Sequence, residues 1–453
     1  MKTKQQKNTL FKIFFIFLLY LLIYTKEFET RFVYTILRHG ARAPLYNITY
    51  FNKTDIFGTD WMFPGELTDI GILNHYLLGK NKRIIYNKLL NDNLTFNNIF
   101  FKSSDYNRTI SSIQSFSLGL FSNITEFKNE DLDINKTISN NLTLNKLSYV
   151  IKTLPYNNIT LNYKEDNFNS FYHKLFPPIH IYDIYNIKFF FLYNFNICKP
   201  LVDSLKENFK SLKFKKILNN FRNIYENKIT DILNLDKKFF YSYENIFIYS
   251  DIYIANYYKN PEIIKKRFLK SVEYPNNAFN KEEFHQLNKT SFEIMEAFKK
   301  YYYNGDNDLF LPKLTATVLF GELVFWFENR VNSDLLGNYF YSDYIKPKMV
   351  VIGSHDATIN SLLKVLKIIY NTEEFFVPYA SSLDFELIIE FNSNSNAYFK
   401  SNYYILVKFN GNLLGKFSYT SFVNNVKALF LTDNEIEKYC KWGNIYYIIK
   451  IVV

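Results

Sequence analysis

Two arginines flank a histidine in Leu37-Arg38-His39-Gly40-Ala41-Arg42-Ala43-Pro44. Guanidinium groups offer planar pairs of donors that match phosphate oxygens, and Gly40 lets the backbone approach an anion closely. Two cations beside an imidazole disfavour its protonation, so His39 is expected to stay neutral and nucleophilic even in acid. Ser354-His355-Asp356-Ala357-Thr358 brings a second imidazole and a carboxyl group that could protonate a leaving oxygen and then deprotonate water. Ser103-Ser104-Asp105-Tyr106-Asn107-Arg108-Thr109 adds a third arginine. Taken singly, the first two segments also read as solvated turns and the third as a helix start. Taken together, they hold what phosphoryl transfer needs, namely positioning and neutralisation of oxygen charge. Three arginines could supply this without a metal, so no metal and no cofactor is expected; the sequence has neither a Walker A loop nor a clear metal-ligand cluster.

All three segments follow short apolar, β-branched or aromatic runs: Arg31–Leu37, Asn98–Lys102 and Lys348–Gly353. Such runs read as buried strands, whose C-terminal ends are where open α/β sheets place ligands. Thr68 is placed to cap a helix reaching about Leu90, and further helices are expected over Arg108–Phe121, Lys313–Val331 and His355–Ile369. Cys198 to about Tyr303 is helical in pattern, while Asp384–Phe391 and Tyr403–Phe409 alternate like outer strands. The expected fold is α/β: a doubly wound, mostly parallel sheet with helices on both faces and an inserted helical cap domain. The expected division is a signal segment at 1–25, core at 26–122, an Asn-rich insertion at 123–172 and a connection at 173–197. The helical cap follows at 198–312, then the rest of the core and the C-terminal tail at 313–453.

The chain of 453 residues is long enough for a large core, and 47 Phe and 38 Tyr exclude global disorder. Its formal charge of +11 falls to +7 without the four lysines of residues 1–25, and the other basic residues are interleaved with acids, so no nucleic-acid partner is expected. Lys2, Lys4, Lys7 and Lys12 precede or border the apolar run Ile13–Tyr24, the pattern of a secretory signal. Membrane contact is expected only if that segment stays as an uncleaved anchor. Sequons at Asn47, Asn52, Asn93, Asn123, Asn135, Asn141, Asn158 and Asn288 suit a lumenal glycoprotein. Asn107 forms another, expected to stay unmodified because it lies among the candidate site residues.

In order and spacing these segments resemble the histidine acid phosphatase family, the two-His branch of the histidine phosphatase superfamily. RHGARAP has the form of its RHGxRxP signature, Gly65-Glu66-Leu67-Thr68-Asp69-Ile70-Gly71 of its GxLTxxG segment, SSDYNRTISS of its STDxxRTxxS and SHD of its second catalytic motif. Weaker similarity runs through PPIHIYD (177–183), Cys198-Lys199-Pro200 and PYASSLDFEL (378–387). The resemblance implies that His39 is the nucleophile of a phosphohistidine intermediate. It further implies that Arg38, Arg42, Arg108 and His355 hold the phosphoryl oxygens and that Asp356 is the proton donor. It also implies a disulfide between Cys198 and Cys440. The implied function is an acid phosphomonoesterase acting on small phosphate monoesters, secreted or in a lysosomal or vesicular lumen, with a homodimer left open. The alternatives are a phytase or other inositol-phosphate phosphatase, which would want a broad basic lining in the cap, and a non-catalytic lumenal binding protein of the same fold.

Overall fold

The computed structural model describes residues 27–45, 55–61, 63–90, 94–122, 178–182, 211–236, 238–272, 278–302, 313–314, 316–336, 347–372, 376–391 and 402–439. The signal segment, the Asn-rich insertion, Cys198, Cys440 and every sequon except Asn107 and Asn288 lie outside these residues. In chain order the elements begin with β1 (Glu27–Arg38), α1 (Asp69–Ile85), α2 (Asn87–Leu90), β2 (Ile99–Ser104), α3 (Asn107–Phe121) and β3 (Ile179–Tyr182). The helices α4 (Leu212–Leu233), α5 (Tyr243–Lys259), α6 (Pro261–Phe268) and α7 (Lys281–Tyr302) follow. A π-helical turn at Ala316–Phe320 leads into α8 (Gly321–Leu336), then β4 (Met349–Ser354), α9 (Asp356–Tyr370), β5 (Ser382–Phe391), β6 (Tyr403–Phe409) and β7 (Asn412–Ser418). The last described helices are α10 (Tyr419–Lys427) and α11 (Asp433–Tyr439).

The fold is α/β. Among the described residues the sheet runs β3-β2-β4-β1-β5-β6-β7, with β3, β2, β4 and β1 parallel and β5, β6 and β7 added antiparallel, each to its neighbour. Side-chain alternation along β1 explains why helices cover both faces. Phe32, Tyr34 and Ile36 pack with Phe320, Leu323, Phe327, Ile359, Leu362 and Leu366 on one side. Val33 and Leu37 pack with Leu78, Ile113, Phe116 and Leu120 on the other. The chain therefore leaves β1 toward one face and leaves the adjacent β4 toward the opposite face. A crevice must open between the two strand ends, the usual ligand position in such sheets.

Helices α4 to α7 surround their own core of Phe214, Phe221, Tyr249, Tyr253, Phe268, Leu287 and Ile294, with Ile56 and Phe57 added from the loop after β1. Local signals start them: Ser211 Oγ accepts the Phe214 amide at 3.2 Å, and Asn260 Oδ1 accepts the Glu262 amide at 3.0 Å with Pro261 in the first turn. A second apolar seam joins this helical layer to the sheet layer through Ala41, Ile70 and Leu77 on one side and Phe247, Ile254, Tyr258 and Met295 on the other.

Two expectations need correction. The helix read over Lys313–Val331 is a π-helical turn followed by a helix that runs to Leu336. More instructive, the 384–391 run is no outer strand: β5 is buried along nearly its whole length and hydrogen-bonded on both sides. Its alternating acids imitate a solvent face because they are paired inside the protein. Asp384 meets Lys82 and Thr35, Glu386 accepts Tyr86 Oη at 2.7 Å and Lys408 Nζ at 2.7 and 2.8 Å, and Lys416 reaches Glu390 at 3.3 Å.

Candidate active site

The strand-end loop after β1 is fixed from three directions by backbone bonds. The Arg38 amide donates to Ser381 O at 2.9 Å, the His39 amide to Ser354 O at 3.0 Å, and His39 O accepts the Ala380 amide at 3.1 Å. Thr68 caps α1 as expected: its Oγ1 accepts the Gly71 amide at 3.1 Å and donates to Ala41 O at 2.8 Å. Gly40 and Gly71 explain each other. A Cβ on Gly40 would lie 2.4 Å from Gly71 O, and one on Gly71 would lie 2.2 Å from Ala41 O, so the start of α1 touches the loop backbone to backbone. On the far side, the Gly40 amide donates to Ser112 Oγ at 3.1 Å, and that hydroxyl donates to Arg108 O at 2.6 Å. The first turn of α3 is thereby tied to the same loop.

The side chains converge on the crevice. His39 is buried, and its Nδ1 lies 2.9 Å from Gly40 O. A carbonyl can only accept, so Nδ1 carries the proton and the lone pair is left on Nε2. The His355 ring stands 5.5 Å away, centre to centre, with its Nε2 3.0 Å from Ser104 Oγ. Arg38 donates to Val377 O at 2.7 Å and pairs with Asp356 at 2.8 Å. Its guanidinium lies 4.0 Å from the centre of the Tyr379 ring, and its buried Nε has no hydrogen-bond partner. Arg42 donates to Asp251 on α5 at 2.8 and 3.4 Å and to Ala43 O at 2.9 Å. Arg108, at the start of α3, lies over the Tyr106 ring at 4.5 Å.

Electrostatics follow from this packing. Burial holds the His39 imidazole well below its ordinary pKa, and Arg108, Arg38, His355 and Arg42 push the same way. His355 is lowered likewise by burial and by Arg108, with Asp356 opposing. Both shifts favour the neutral imidazole. An anion arriving in the crevice would meet three guanidinium groups and two uncharged imidazoles.

All six positions singled out in the sequence, Arg38, His39, Arg42, Arg108, His355 and Asp356, meet at this end of the sheet. Among the described residues, the other histidines do not join them directly. His75 is buried beneath the loop with Nε2 donating to Arg38 O at 3.0 Å, His180 stacks on Phe100 at 4.4 Å, His285 lies on α7 and His173 is outside the described residues. Among the described residues, no group of three His, Cys, Asp or Glu side chains is placed to hold a metal ion. Sequence reasoning missed Asp251, the buried carboxylate that grips Arg42 and accepts the Leu45 amide at 2.7 Å. A single acid inside Ile246–Ala255, otherwise almost wholly apolar and aromatic, was the available signal. It also missed Tyr379, which lies against both Arg38 and His39.

Fold and crevice together describe an α/β protein with an imidazole at the strand end, ringed by arginines. The chain belongs to the histidine phosphatase superfamily (branch 2), whose family model matches residues 29–410. It is similar to lysosomal acid phosphatase of Xenopus laevis, 32% identical over 94 residues that make up 20% of this chain and 21% of the relative. Prostatic acid phosphatase of Homo sapiens is 34% identical over 94 residues, 20% of this chain and 24% of the relative. The chain thus aligns with about a fifth to a quarter of the length of these curated relatives. Among solved structures, a phytase from Citrobacter braakii shares the fold with a TM-score of 0.53 at 13% identity, over 89% of this chain and 98% of that one.

Proposed function

We propose that this chain is an acid phosphomonoesterase that works through a phosphohistidine and needs no metal. In the first step His39 Nε2 attacks phosphorus, the N–P bond forms and the P–O ester bond breaks. Asp356 gives its proton to the departing oxygen, releasing an alcohol or phenol. In the second step Asp356 takes a proton from water, the water oxygen attacks phosphorus, and the N–P bond breaks to free inorganic phosphate. Arg38, Arg42, Arg108 and His355 hold the phosphoryl oxygens and neutralise their charge. A phosphate ester competes with Asp356 for Arg38, and that exchange releases the carboxyl group toward the leaving oxygen.

The observation that carries this reading is the bond from His39 Nδ1 to Gly40 O inside a ring of cations. It leaves Nε2 as the free lone pair of a ring that burial, and then the arginines, keep from protonating. In this proposal the chain carries a signal peptide or signal anchor at 1–25, has a lysosomal, vesicular or secreted location, bears glycosylated sequons and forms a Cys198–Cys440 bond. The 198–312 segment serves as the cap over the site. The names of the relatives agree with an acid phosphatase of that compartment. No helix of the described residues is long and apolar enough to cross a membrane.

The test is a rapid quench with radiolabelled phosphate ester at pH 5. Wild type should hold acid-labile label on the protein, and His39→Ala should hold none while losing turnover by well over about 100-fold. Equal labelling of the His39 variant would overturn the assignment.

A further inference from the structure

Beyond the phosphate clamp, the mouth of the crevice has a chemical character of its own. Tyr106 precedes α3 in extended conformation, and its carbonyl accepts Thr109 Oγ1 at 2.8 Å. That anchorage turns its ring onto two clamp residues. The ring stands perpendicular to His355 at 5.1 Å between centres, and the Arg108 guanidinium lies 4.5 Å from its centre. Even so, Tyr106 remains 37% exposed. This partly exposed residue lies beside the groups that would hold the phosphate, where a leaving group must pass.

The rest of the rim matches it. A Cβ on Gly65 would sit 3.2 Å from Leu45 Cδ2 and 3.6 Å from Arg108 Nη1, so Leu45 and Arg108 approach the same glycine. Leu45 is 40% exposed, and Phe63, two residues before Gly65, is 61% exposed. Apart from Arg108 of the clamp itself, the charged side chains beside these residues are acids: Glu66, whose Oε1 accepts Asn107 Nδ2 at 3.2 Å, and Asp105. An apolar rim flanked by carboxylates favours a flat, uncharged leaving group and repels further phosphates on the same substrate.

We infer that Tyr106, with Leu45, forms a leaving-group subsite that selects aryl phosphate monoesters over polyphosphorylated ones. The inference rests on the phosphomonoesterase reading above and adds the substrate class to it. Tyr106 acts here as a specificity residue, taking no part in bond making.

The experiment compares kcat/KM for phenyl phosphate, β-glycerophosphate and phytate in wild type, Tyr106→Ala and Tyr106→Phe. Affinities for phenylphosphonate and methylphosphonate, which cannot be hydrolysed in this way, are measured by calorimetry. Wild type should prefer the aryl member of each pair, with phytate the poorest substrate. Tyr106→Ala should cut the phenyl-to-glycerol ratio about 3- to 10-fold, mainly through KM, with a parallel loss of phosphonate preference. Tyr106→Phe, which keeps the ring, should keep both ratios. If Tyr106→Ala lowers both substrates equally, the ring only supports Arg108 and His355, and the inference fails. It fails equally if both ratios stay at the wild-type value or if phytate is the best substrate of the wild type. A wild type that prefers phenylphosphonate yet turns over none of the esters would instead overturn the proposed catalysis while keeping the subsite.

Discussion

Asp251→Asn offers a direct test of how the helical layer supports the crevice. Arg42 and Asp251 are 5% and 1% exposed, and they share two hydrogen bonds at 2.8 and 3.4 Å. The asparagine keeps the shape of the carboxylate but removes its charge, leaving the Arg42 guanidinium buried and uncompensated. Breaking a buried pair from one side typically costs about 3–5 kcal/mol, a large share of the roughly 5–15 kcal/mol that holds a domain together. Urea denaturation followed by tryptophan fluorescence should therefore show a large fall in midpoint. The paired variant Arg42→Met with Asp251→Leu should regain most of the loss, because it removes both charges and keeps the volume apolar. It should not regain phosphatase activity, since Arg42 is also assigned to the phosphate. An Asp251→Asn protein within about 1 kcal/mol of wild type would refute the reasoning. So would a double variant no more stable than the single one, because Arg42 would then be held by something other than this carboxylate.

Other consequences follow from neighbouring contacts. Burial lowers the pKa of His75 to about 4, so its contribution to stability is complete above the unfolded value near 6.5 and is lost as the pH falls from there toward 4. The loss amounts to about 3 kcal/mol, and His75→Gln should flatten the fall in denaturation midpoint between pH 7 and pH 4.5. Replacing Arg108 by Ala should lower kcat/KM by roughly 30- to 1000-fold, and Lys should restore only part of it because it lacks the planar fork; full rescue by Lys would argue for a simple point charge. Gly71→Ala must push the start of α1 away from Ala41 O, costing about 1–3 kcal/mol and disordering the loop that holds His39, to be read as a lowered melting temperature together with lost turnover. Activity should persist in EDTA, and a loss that zinc or magnesium restores would indicate a metal-dependent phosphatase.

The amino-acid sequence by itself determined the local parts of this protein. The apolar runs ending at Arg38, Ser104 and Ser354 are strands because chains buried on both faces need side chains that are apolar in both directions. The cap at Thr68 carries its hydrogen bond to the Gly71 amide within a few residues, so it is legible without any fold. The candidate site segments were legible for the same reason: each is short and lies at one strand end. Only the tertiary structure decided which distant groups complete them. Asp251 lies 209 residues from Arg42, and Tyr379 lies 341 residues from Arg38, so no spacing could announce either contact. The place of β5 was hidden for a related reason. Asp384, Glu386 and Glu390 look solvated until Lys82, Lys408 and Lys416 are brought against them, and a buried charge is tolerated only once its partner arrives. Periodicity reports which side chains share a face, but whether that face meets water or a matching charge depends on long-range packing.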